Sequence, residues 1–182
     1  LLVLLNFNTL TIILALGSMP LAFTYPLMKR YTYWPQLFLG ITFNYGLILG
    51  WTAIKGQIDM IPILFYIGAI FWTLGYDTIY GYQDIKDDEI IGLKSTSIKF
   101  KKNPHKFLIL CYSIFLLNLL IIGKLMALNN LYFFGLSLVF LQIFYFQLKK
   151  LNIQNATNCL AVFKSNNFLG LLIFFSLIFG KI

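Results

Sequence analysis

The chain has 182 residues, of which 59% are hydrophobic and 11% are charged, and its mean hydropathy is +0.81. Soluble domains carry roughly a quarter charged residues, so this composition excludes a soluble globular domain, a disordered chain, a coiled coil and a disulfide scaffold. The formal net charge of +8 indicates the basic loops of a membrane protein and no nucleic-acid partner.

Uncharged stretches that are long enough to cross a bilayer recur along the chain, since a span needs about 20 mainly apolar residues. They predict an all-α, multi-pass transmembrane bundle with a stub at 1–5 and six full helices near 9–28, 35–53, 60–77, 106–123, 131–148 and 164–180. The chain opens without an initiator methionine or a basic residue. We therefore expect the stub to be the tail of an apolar segment that began earlier.

Capping and proline signals support this division into helices. Asn8 is a plausible N-cap, and Pro35 and Pro62 fall in first turns, where a missing N–H is tolerated. Gly46 and Gly50 form a GxxxG pair, which predicts close packing against a neighbouring helix.

Basic residues are concentrated in the connections on one side of the predicted bundle. The connections after the first, third and fifth helices hold eleven of them: Lys29, Arg30, Lys86, Lys94, Lys99, Lys101, Lys102, Lys106, Lys149, Lys150 and Lys164. The opposite side holds Lys55, Lys124 and Lys181. This asymmetry places the basic side in the cytoplasm or its mitochondrial equivalent, the matrix.

Five of the six acidic residues lie between positions 77 and 89. Asp77 ends an otherwise uncharged helix, at a depth where a carboxylate is costly. Asp77, Asp84 and Asp88 are spaced i, i+7, i+11 and share one face if the helix continues. Like charges four residues apart repel each other, so this pattern predicts a positive group between the carboxylates.

The residue types narrow the choice of that positive group. Carboxylates without histidine or cysteine favour a hard cation such as Mg²⁺ or Ca²⁺, and Mg²⁺ commonly binds one or two carboxylates, water and a substrate phosphate. The lysines after position 94 supply further positive charge. The pattern therefore favours a diphosphate held through Mg²⁺ at the membrane boundary. A cation transporter is the alternative, although transporters place their acids near the bilayer midplane.

Three segments carry a family resemblance. Residues 77–96, DTIYGYQDIKDDEIIGLKST, resemble the second aspartate-rich motif of the UbiA superfamily of intramembrane prenyltransferases. Residues 25–36, YPLMKRYTYWPQ, are similar to the connection after that family's fourth helix, and residues 163–167, FKSNN, precede its last helix. The resemblance is strongest to the branch that prenylates 4-hydroxybenzoate in ubiquinone synthesis.

The resemblance implies a nine-helix fold, of which this chain supplies the end of the third helix through the ninth. Residues 1–182 would then be the C-terminal two-thirds of a single membrane-embedded prenyltransferase domain. The family's first aspartate-rich motif, between helices two and three, is absent from these residues. We therefore expect the chain alone to be inactive.

The resemblance also implies roles for particular residues. Asp84 and Asp88 match the metal-binding pair of the family, and Asp77 would help to organise the catalytic site. The residues implied at the substrate diphosphate are Lys94, Lys29, Arg30, Tyr25 and Tyr80. Asn44 lies in an apolar helix, where it either lines the pocket or makes an interhelical hydrogen bond.

The implied activity is Mg²⁺-dependent transfer of a polyprenyl group from polyprenyl diphosphate to the ring of 4-hydroxybenzoate. The enzyme would lie in the bilayer of a bacterial or mitochondrial inner membrane, with its active-site loops on the cytoplasmic or matrix side. A UbiA-type enzyme with another acceptor, such as a naphthoate, homogentisate or haem, is the nearest alternative.

Overall fold

The computed structural model describes residues 3–182, and every regular element within them is a helix. In chain order the helices are α1 Thr9–Thr24, α2 Met28–Tyr31, α3 Pro35–Phe43, α4 Gly46–Lys55, α5 Met60–Gly81, α6 Ile85–Ile91, α7 Thr96–Lys99, α8 Pro104–Leu125, α9 Asn130–Leu141, α10 Ala156–Lys164 and α11 Asn166–Lys181. A 3₁₀ turn, Tyr25–Leu27, joins α1 to α2, and a π-helical segment, Gln142–Leu148, extends α9. Of the predicted stub, residues 1 and 2 lie outside the described range, and Leu4–Asn6 forms one 3₁₀ turn.

Within residues 3–182, six helical segments are long and apolar enough to cross a membrane, which confirms the predicted number. They are Thr9–Tyr31, Pro35–Lys55, Met60–Gly81, Pro104–Leu125, Asn130–Leu148 and Ala156–Lys181. Two boundaries differ from the sequence prediction by four residues or more. The third span continues past Asp77 to Gly81, and the sixth begins at Ala156 because the Asn155 side chain accepts a hydrogen bond from the Asn158 backbone N–H (3.1 Å).

The predicted helix starts are confirmed at several positions. Asn8 caps α1, where its Oδ1 accepts from the Thr11 backbone N–H at 3.0 Å, and Pro35 lies at the first turn of α3. The prediction of close packing at Gly46 and Gly50 is wrong. A Cβ at either position would meet no atom of the described residues within 4 Å, because α4 buries a different face, which carries Ile48 and Thr52.

The core forms where α5 packs on α8 and α9 packs on α11. Glycines on one helix receive aromatic rings from another: Tyr132 lies against Gly123 and Gly180, and Tyr112 lies against Gly75. Small residues let membrane helices approach closely enough for dispersion contacts to hold them together. Both tyrosine rings are fully buried as a result.

The first span lies at the edge of this core. In its most apolar window 6% of residues are buried, compared with 50% in the span formed by α8. Its polar anchor is at the N-terminal end, where Asn8 Nδ2 donates to the Thr52 carbonyl at 2.8 Å and Thr11 Oγ1 donates to Thr52 Oγ1 at 3.1 Å. The span is therefore attached to α4 mainly at one end.

Candidate functional site

A polar cavity of about 140 Å³ lies where the turn after α1 meets α3, α5 and α6. We call it the acidic cavity. Its lining residues are Tyr25, Lys29, Pro35, Gln36, Leu39, Asp77, Tyr80, Gly81, Asp84 and Asp88. The structure thus brings together six of the residues expected at the site: Tyr25, Lys29, Asp77, Tyr80, Asp84 and Asp88.

The three aspartates reach the acidic cavity by a route that differs from the prediction. The condition of one continuous helix is not met, since α5 ends at Gly81 and Asp84 occupies the N-cap position of α6. The Asp84 carbonyl accepts from the Asp88 backbone N–H at 2.9 Å, which starts the new helix. A change of direction at residues 82–84 therefore brings Asp84 and Asp88 to the same cavity as Asp77.

Buried hydroxyl groups hold the segment after α6 against α5. Thr78 Oγ1 and Thr96 Oγ1 lie 2.6 Å apart, and Ser97 Oγ donates to the Thr78 carbonyl at 2.8 Å. Ser95 Oγ accepts from the Ile98 backbone N–H and caps α7. These three polar side chains and Thr78 are almost fully buried, so their hydrogen bonds fix α7 beside the end of α5.

The basic residues expected at the substrate diphosphate occupy different places. Lys29 lines the acidic cavity and attracts the Asp77 carboxylate electrostatically. Lys94 donates its backbone N–H to the Lys29 carbonyl at 2.8 Å. Its Nζ donates to the Tyr31 carbonyl at 3.3 Å and lies 5.7 Å from the Tyr33 ring. Lys94 and the exposed Arg30 therefore stand next to the cavity without lining it.

The charges in the acidic cavity fit a divalent cation. Within residues 3–182 the one ion pair closer than 4 Å joins Glu89 to Lys101, so Asp77, Asp84 and Asp88 have no basic nitrogen at that distance. In the same part of the chain no three acidic, histidine or cysteine side chains converge on one point. The carboxylate oxygens at the cavity wall are the ligand type of an ion that takes one or two carboxylates and completes its shell with water and phosphate oxygens.

Asn44 connects two helices. Its Nδ2 donates to the Thr73 hydroxyl at 2.8 Å and to the Ala69 carbonyl at 3.2 Å, both on α5, and also lies 2.9 Å from the Gly40 carbonyl. Of the alternatives that the sequence left open, the structure contains the interhelical hydrogen bond. Asn44 lines neither the acidic cavity nor the apolar cavity described below.

Sequence reasoning missed Gln36. This side chain is 3% exposed, lines the acidic cavity and accepts the Thr96 backbone N–H at 3.0 Å. The available signal was a lone amide at the start of an otherwise apolar helix, directly after Trp34 and Pro35. Its partner is 60 residues away in the sequence, so no local pattern reveals the contact.

A second cavity, of about 220 Å³, lies deeper in the bundle between α4, α5, α8 and α11. We call it the apolar cavity. Its lining residues are Leu47, Leu64, Phe65, Gly68, Ala69, Trp72, Phe115, Asn118, Leu119, Ile122, Gly170, Ile173, Phe174 and Leu177. Trp72 Nε1 donates to Asn166 Oδ1 at 2.9 Å, which leaves the apolar face of the indole as part of the wall.

The three basic connections lie on the same side of the bundle, as predicted. The first and third meet at the acidic cavity and at the bond between Lys94 and Lys29. The fifth approaches the third at another cavity, of about 550 Å³, lined by Tyr82, Gln83, Ile85, Lys86, Ile153, Gln154 and Ala156. Burial raises the pKa of the Tyr82 hydroxyl, so this group stays neutral.

Comparison with known proteins gives a consistent result. The model of the UbiA prenyltransferase family matches residues 1–178. The mitochondrial 4-hydroxybenzoate polyprenyltransferases of Bos taurus and Homo sapiens are each 42% identical over 182 residues, which cover 99% of this chain and 48% of theirs. The protein of that name from Arabidopsis thaliana is 37% identical over 180 residues, covering 98% of this chain and 44% of its own. The chain spans about half the length of these curated relatives.

The fold is similar to that of a solved structure, the apo form of a UbiA homolog from Aeropyrum pernix K1. The TM-score is 0.79, and the match covers 98% of this chain and 67% of the other. The sequences are 20% identical, so this similarity supports the arrangement of the helices alone.

Proposed function

The chain belongs to the UbiA prenyltransferase family, and from this premise we propose that it forms part of a 4-hydroxybenzoate polyprenyltransferase. The reaction transfers a polyprenyl group from polyprenyl diphosphate to the ring of 4-hydroxybenzoate, a step of ubiquinone biosynthesis. The observation that carries the proposal is the pair of cavities along α5. A polar cavity with three carboxylates lies at one end of this helix, and an apolar cavity lies along its middle.

Members of this family generally use a divalent metal ion, and we propose Mg²⁺. Asp84 and Asp88 would hold the ion, and Asp77 would hold one of its waters. These oxygen ligands match the preference of a hard cation. When bound, the ion neutralises the charge of a diphosphate and so makes it a better leaving group.

The chain's own residues then define what happens to the substrates. Lys29 at the cavity wall and Lys94 beside it offset the negative charge that grows on the departing diphosphate. The allylic C–O bond breaks with its electron pair on the diphosphate oxygen. The ring carbon next to the acceptor hydroxyl forms the new C–C bond, and the proton on that carbon passes to an oxygen of the released diphosphate. Tyr25 and Tyr80 supply hydroxyl donors at the same wall.

The apolar cavity is the proposed place for the prenyl tail. Ala69 in its wall and Asp77 in the acidic cavity are eight residues apart on α5, about 12 Å along the helix axis. A tail that runs along α5 from a diphosphate at Asp77 would therefore reach the apolar cavity with its later isoprene units. Apolar surface buried there contributes about 25 cal/mol per Å² to binding.

The chain is an integral membrane protein, since six helices have the length and apolar character of spans. We propose an inner membrane, bacterial or mitochondrial, with the acidic cavity on the cytoplasmic or matrix side. The support is the charge asymmetry, because eleven of the fourteen basic residues lie in connections on that side.

Prenyl transfer from labelled geranyl diphosphate to 4-hydroxybenzoate tests the proposal. Membranes that hold the product of the complete reading frame are assayed with and without Mg²⁺, beside an Asp84→Asn variant and an Asp59→Asn control. Asp59 lies at the other end of α5, where it binds Trp51 Nε1 and Gln57 Nε2. We expect product that requires Mg²⁺, disappears in Asp84→Asn and persists in Asp59→Asn.

Other results of this assay would correct the proposal in defined ways. Product with a naphthoate or homogentisate, but none with 4-hydroxybenzoate, would keep the metal site and replace the acceptor. No transfer to any acceptor by folded protein, together with Mg²⁺-independent cation flux through vesicles, would replace the enzyme by a transporter.

A further inference from the structure

We infer that the carboxamide of Gln36 is a direct hydrogen-bond donor to the diphosphate of the substrate in the acidic cavity. The inference rests on the proposed function, since it names a further contact within that site. It starts from an unusual position for an amide: the side chain is 3% exposed and lies in the first turn of α3, in the wall of the cavity.

The orientation of the Gln36 amide follows from its partner. Its Oε1 accepts from the Thr96 backbone N–H at 3.0 Å. A backbone N–H can only donate, so the oxygen must face Thr96 and the NH₂ group must face away from it. Nε2 lies 3.4 Å from the point where a Cβ on Gly81 would stand, and Gly81 lines the acidic cavity. The amide nitrogen of Gln36 therefore lies beside Gly81 at the cavity wall.

The donor hydrogens of Gln36 are free to bind a ligand. No hydrogen bond between described residues uses Nε2, and this atom is not one of the three unpaired side-chain atoms sealed from solvent, which belong to Tyr82, Tyr112 and Gln147. An unpaired N–H donor that is accessible from a cavity can bind the water or ligand that the cavity holds. Gln36 therefore presents two N–H groups to whatever enters.

The charges in the acidic cavity indicate which kind of ligand the N–H groups of Gln36 bind. Asp77, Asp84 and Asp88 are acceptors that repel an anion, and Lys29 is the cation in the wall. Diphosphate oxygens are acceptors only, so they need donors from the protein as well as a cation. Gln36 supplies a neutral donor whose far end is already fixed by Thr96, so binding costs little side-chain entropy.

The substitution Gln36→Glu separates this role from a structural one. Glutamate keeps the length of the side chain and an oxygen that accepts the Thr96 N–H, but it loses both donor hydrogens and adds negative charge. Gln36→Met also keeps the length and removes the donors without adding charge. Tyr66→Phe is the matched control, since it removes a different hydrogen bond to α3, from the Tyr66 hydroxyl on α5 to the Ile41 carbonyl (2.6 Å).

The measurement is the affinity of the purified full-length protein for geranyl thiolodiphosphate, a slow-reacting analogue, with Mg²⁺, by isothermal titration calorimetry. We expect Gln36→Glu to weaken binding about ten- to a hundredfold, to raise KM for geranyl diphosphate in parallel and to leave KM for 4-hydroxybenzoate within about twofold. Gln36→Met should weaken binding about tenfold. This variant therefore tests the inference even if the Gln36→Glu protein does not fold. Tyr66→Phe should bind as the wild type does.

Either of two results would overturn the inference, and they differ in whether the proposed function fails as well. If Gln36→Glu or Gln36→Met folds and binds the analogue as tightly as the wild type, Gln36 is a structural link between α3 and α7 and the proposed function stands. If the wild-type protein itself neither binds the analogue nor transfers a prenyl group, the inference and the proposed function fail together.

Discussion

The acidic cavity and the apolar cavity share one helix but are built in different ways. The wall of the acidic cavity is held by hydrogen bonds between distant segments, such as Gln36 to Thr96 and Lys94 to Lys29. The wall of the apolar cavity consists of aromatic and aliphatic side chains around Gly68 and Gly170. Most of its shape therefore comes from side-chain volume.

This difference determines how each cavity responds to mutation. Directional bonds and charges in the acidic cavity place particular atoms, so an isosteric change there alters chemistry without altering shape. Packing in the apolar cavity is non-directional, so a change of volume there alters the size of ligand that fits. We expect substitutions in the acidic cavity to change the rate of prenyl transfer. Substitutions in the apolar cavity should change the selectivity for the length of the prenyl chain.

The largest effect is expected at an aspartate of the acidic cavity. Asp88→Asn keeps the shape of the side chain and removes its charge, so Mg²⁺ binds more weakly and the leaving group is less well neutralised. We expect kcat/KM for prenyl transfer to fall about a hundred- to a thousandfold, with the melting temperature unchanged. Steady-state kinetics over a range of Mg²⁺ concentrations measures this, and a kcat/KM and a Mg²⁺ dependence equal to those of the wild type would remove Asp88 from the site.

The apolar cavity should respond to added volume in a way that depends on the donor. A Cβ on Gly170 would meet Trp72 Cη2 at 3.5 Å, an ordinary contact, so Gly170→Ala is the neutral control. Gly170→Phe should raise KM about tenfold or more for a long polyprenyl diphosphate, because each buried methylene contributes about 0.8 kcal/mol. KM for geranyl diphosphate should change much less. Equal KM increases for both donors would argue against this cavity as the tail site.

A smaller effect, on thermal stability, is expected at the hydrogen bond that holds Trp72 in the wall of the apolar cavity. Asn166→Ala removes the acceptor of Trp72 Nε1, whereas Asn167→Ala changes an exposed neighbour. Interhelical hydrogen bonds in membranes contribute about 0.6 kcal/mol on average, so we expect Asn166→Ala to lower the melting temperature by about 1–2 °C. Thermal unfolding in detergent provides the comparison, and identical melting temperatures for the two variants would contradict it.

The smallest effect is expected in the acidic segment outside either cavity. Glu89 pairs with Lys101, and both side chains are partly exposed, at 38% and 47%. Ion pairs of this kind contribute between about 0 and 1 kcal/mol. Glu89→Gln should therefore leave both the melting temperature and the prenyl-transfer rate nearly unchanged. A loss as large as that of Asp88→Asn, one residue earlier, would extend the site beyond the acidic cavity.

Much of the fold could be predicted because hydropathy and helix starts are local properties. The six spans follow from uncharged stretches, and Asn8 and Pro35 act within one turn of their own positions. The start of the sixth span was missed because Thr157 and Asn158 interrupt the apolar pattern. The helix nevertheless includes both residues, because it begins at Ala156, where the Asn155 side chain caps its N-terminus.

The acidic cavity was only partly predictable from the sequence. Helical spacing predicted the grouping of Asp77, Asp84 and Asp88, although the structure produces it through a helix end at Gly81 and a new start at Asp84. The place of Lys94 beside Tyr31, and of Gln36 beside Thr96, depends on contacts over 63 and 60 residues. Contacts between residues so far apart in the chain produce no periodic pattern in the sequence.

The bond from Lys94 to Lys29 has a consequence for biogenesis. A ribosome makes the chain from its N-terminus, so Lys29 and Gln36 are synthesised before the backbone amides of Lys94 and Thr96 that bond to them. At that stage Gln36 and Asp77 are present, but the segment that closes the cavity around them is not. The acidic cavity can therefore close only after the loop that follows α6 has been synthesised.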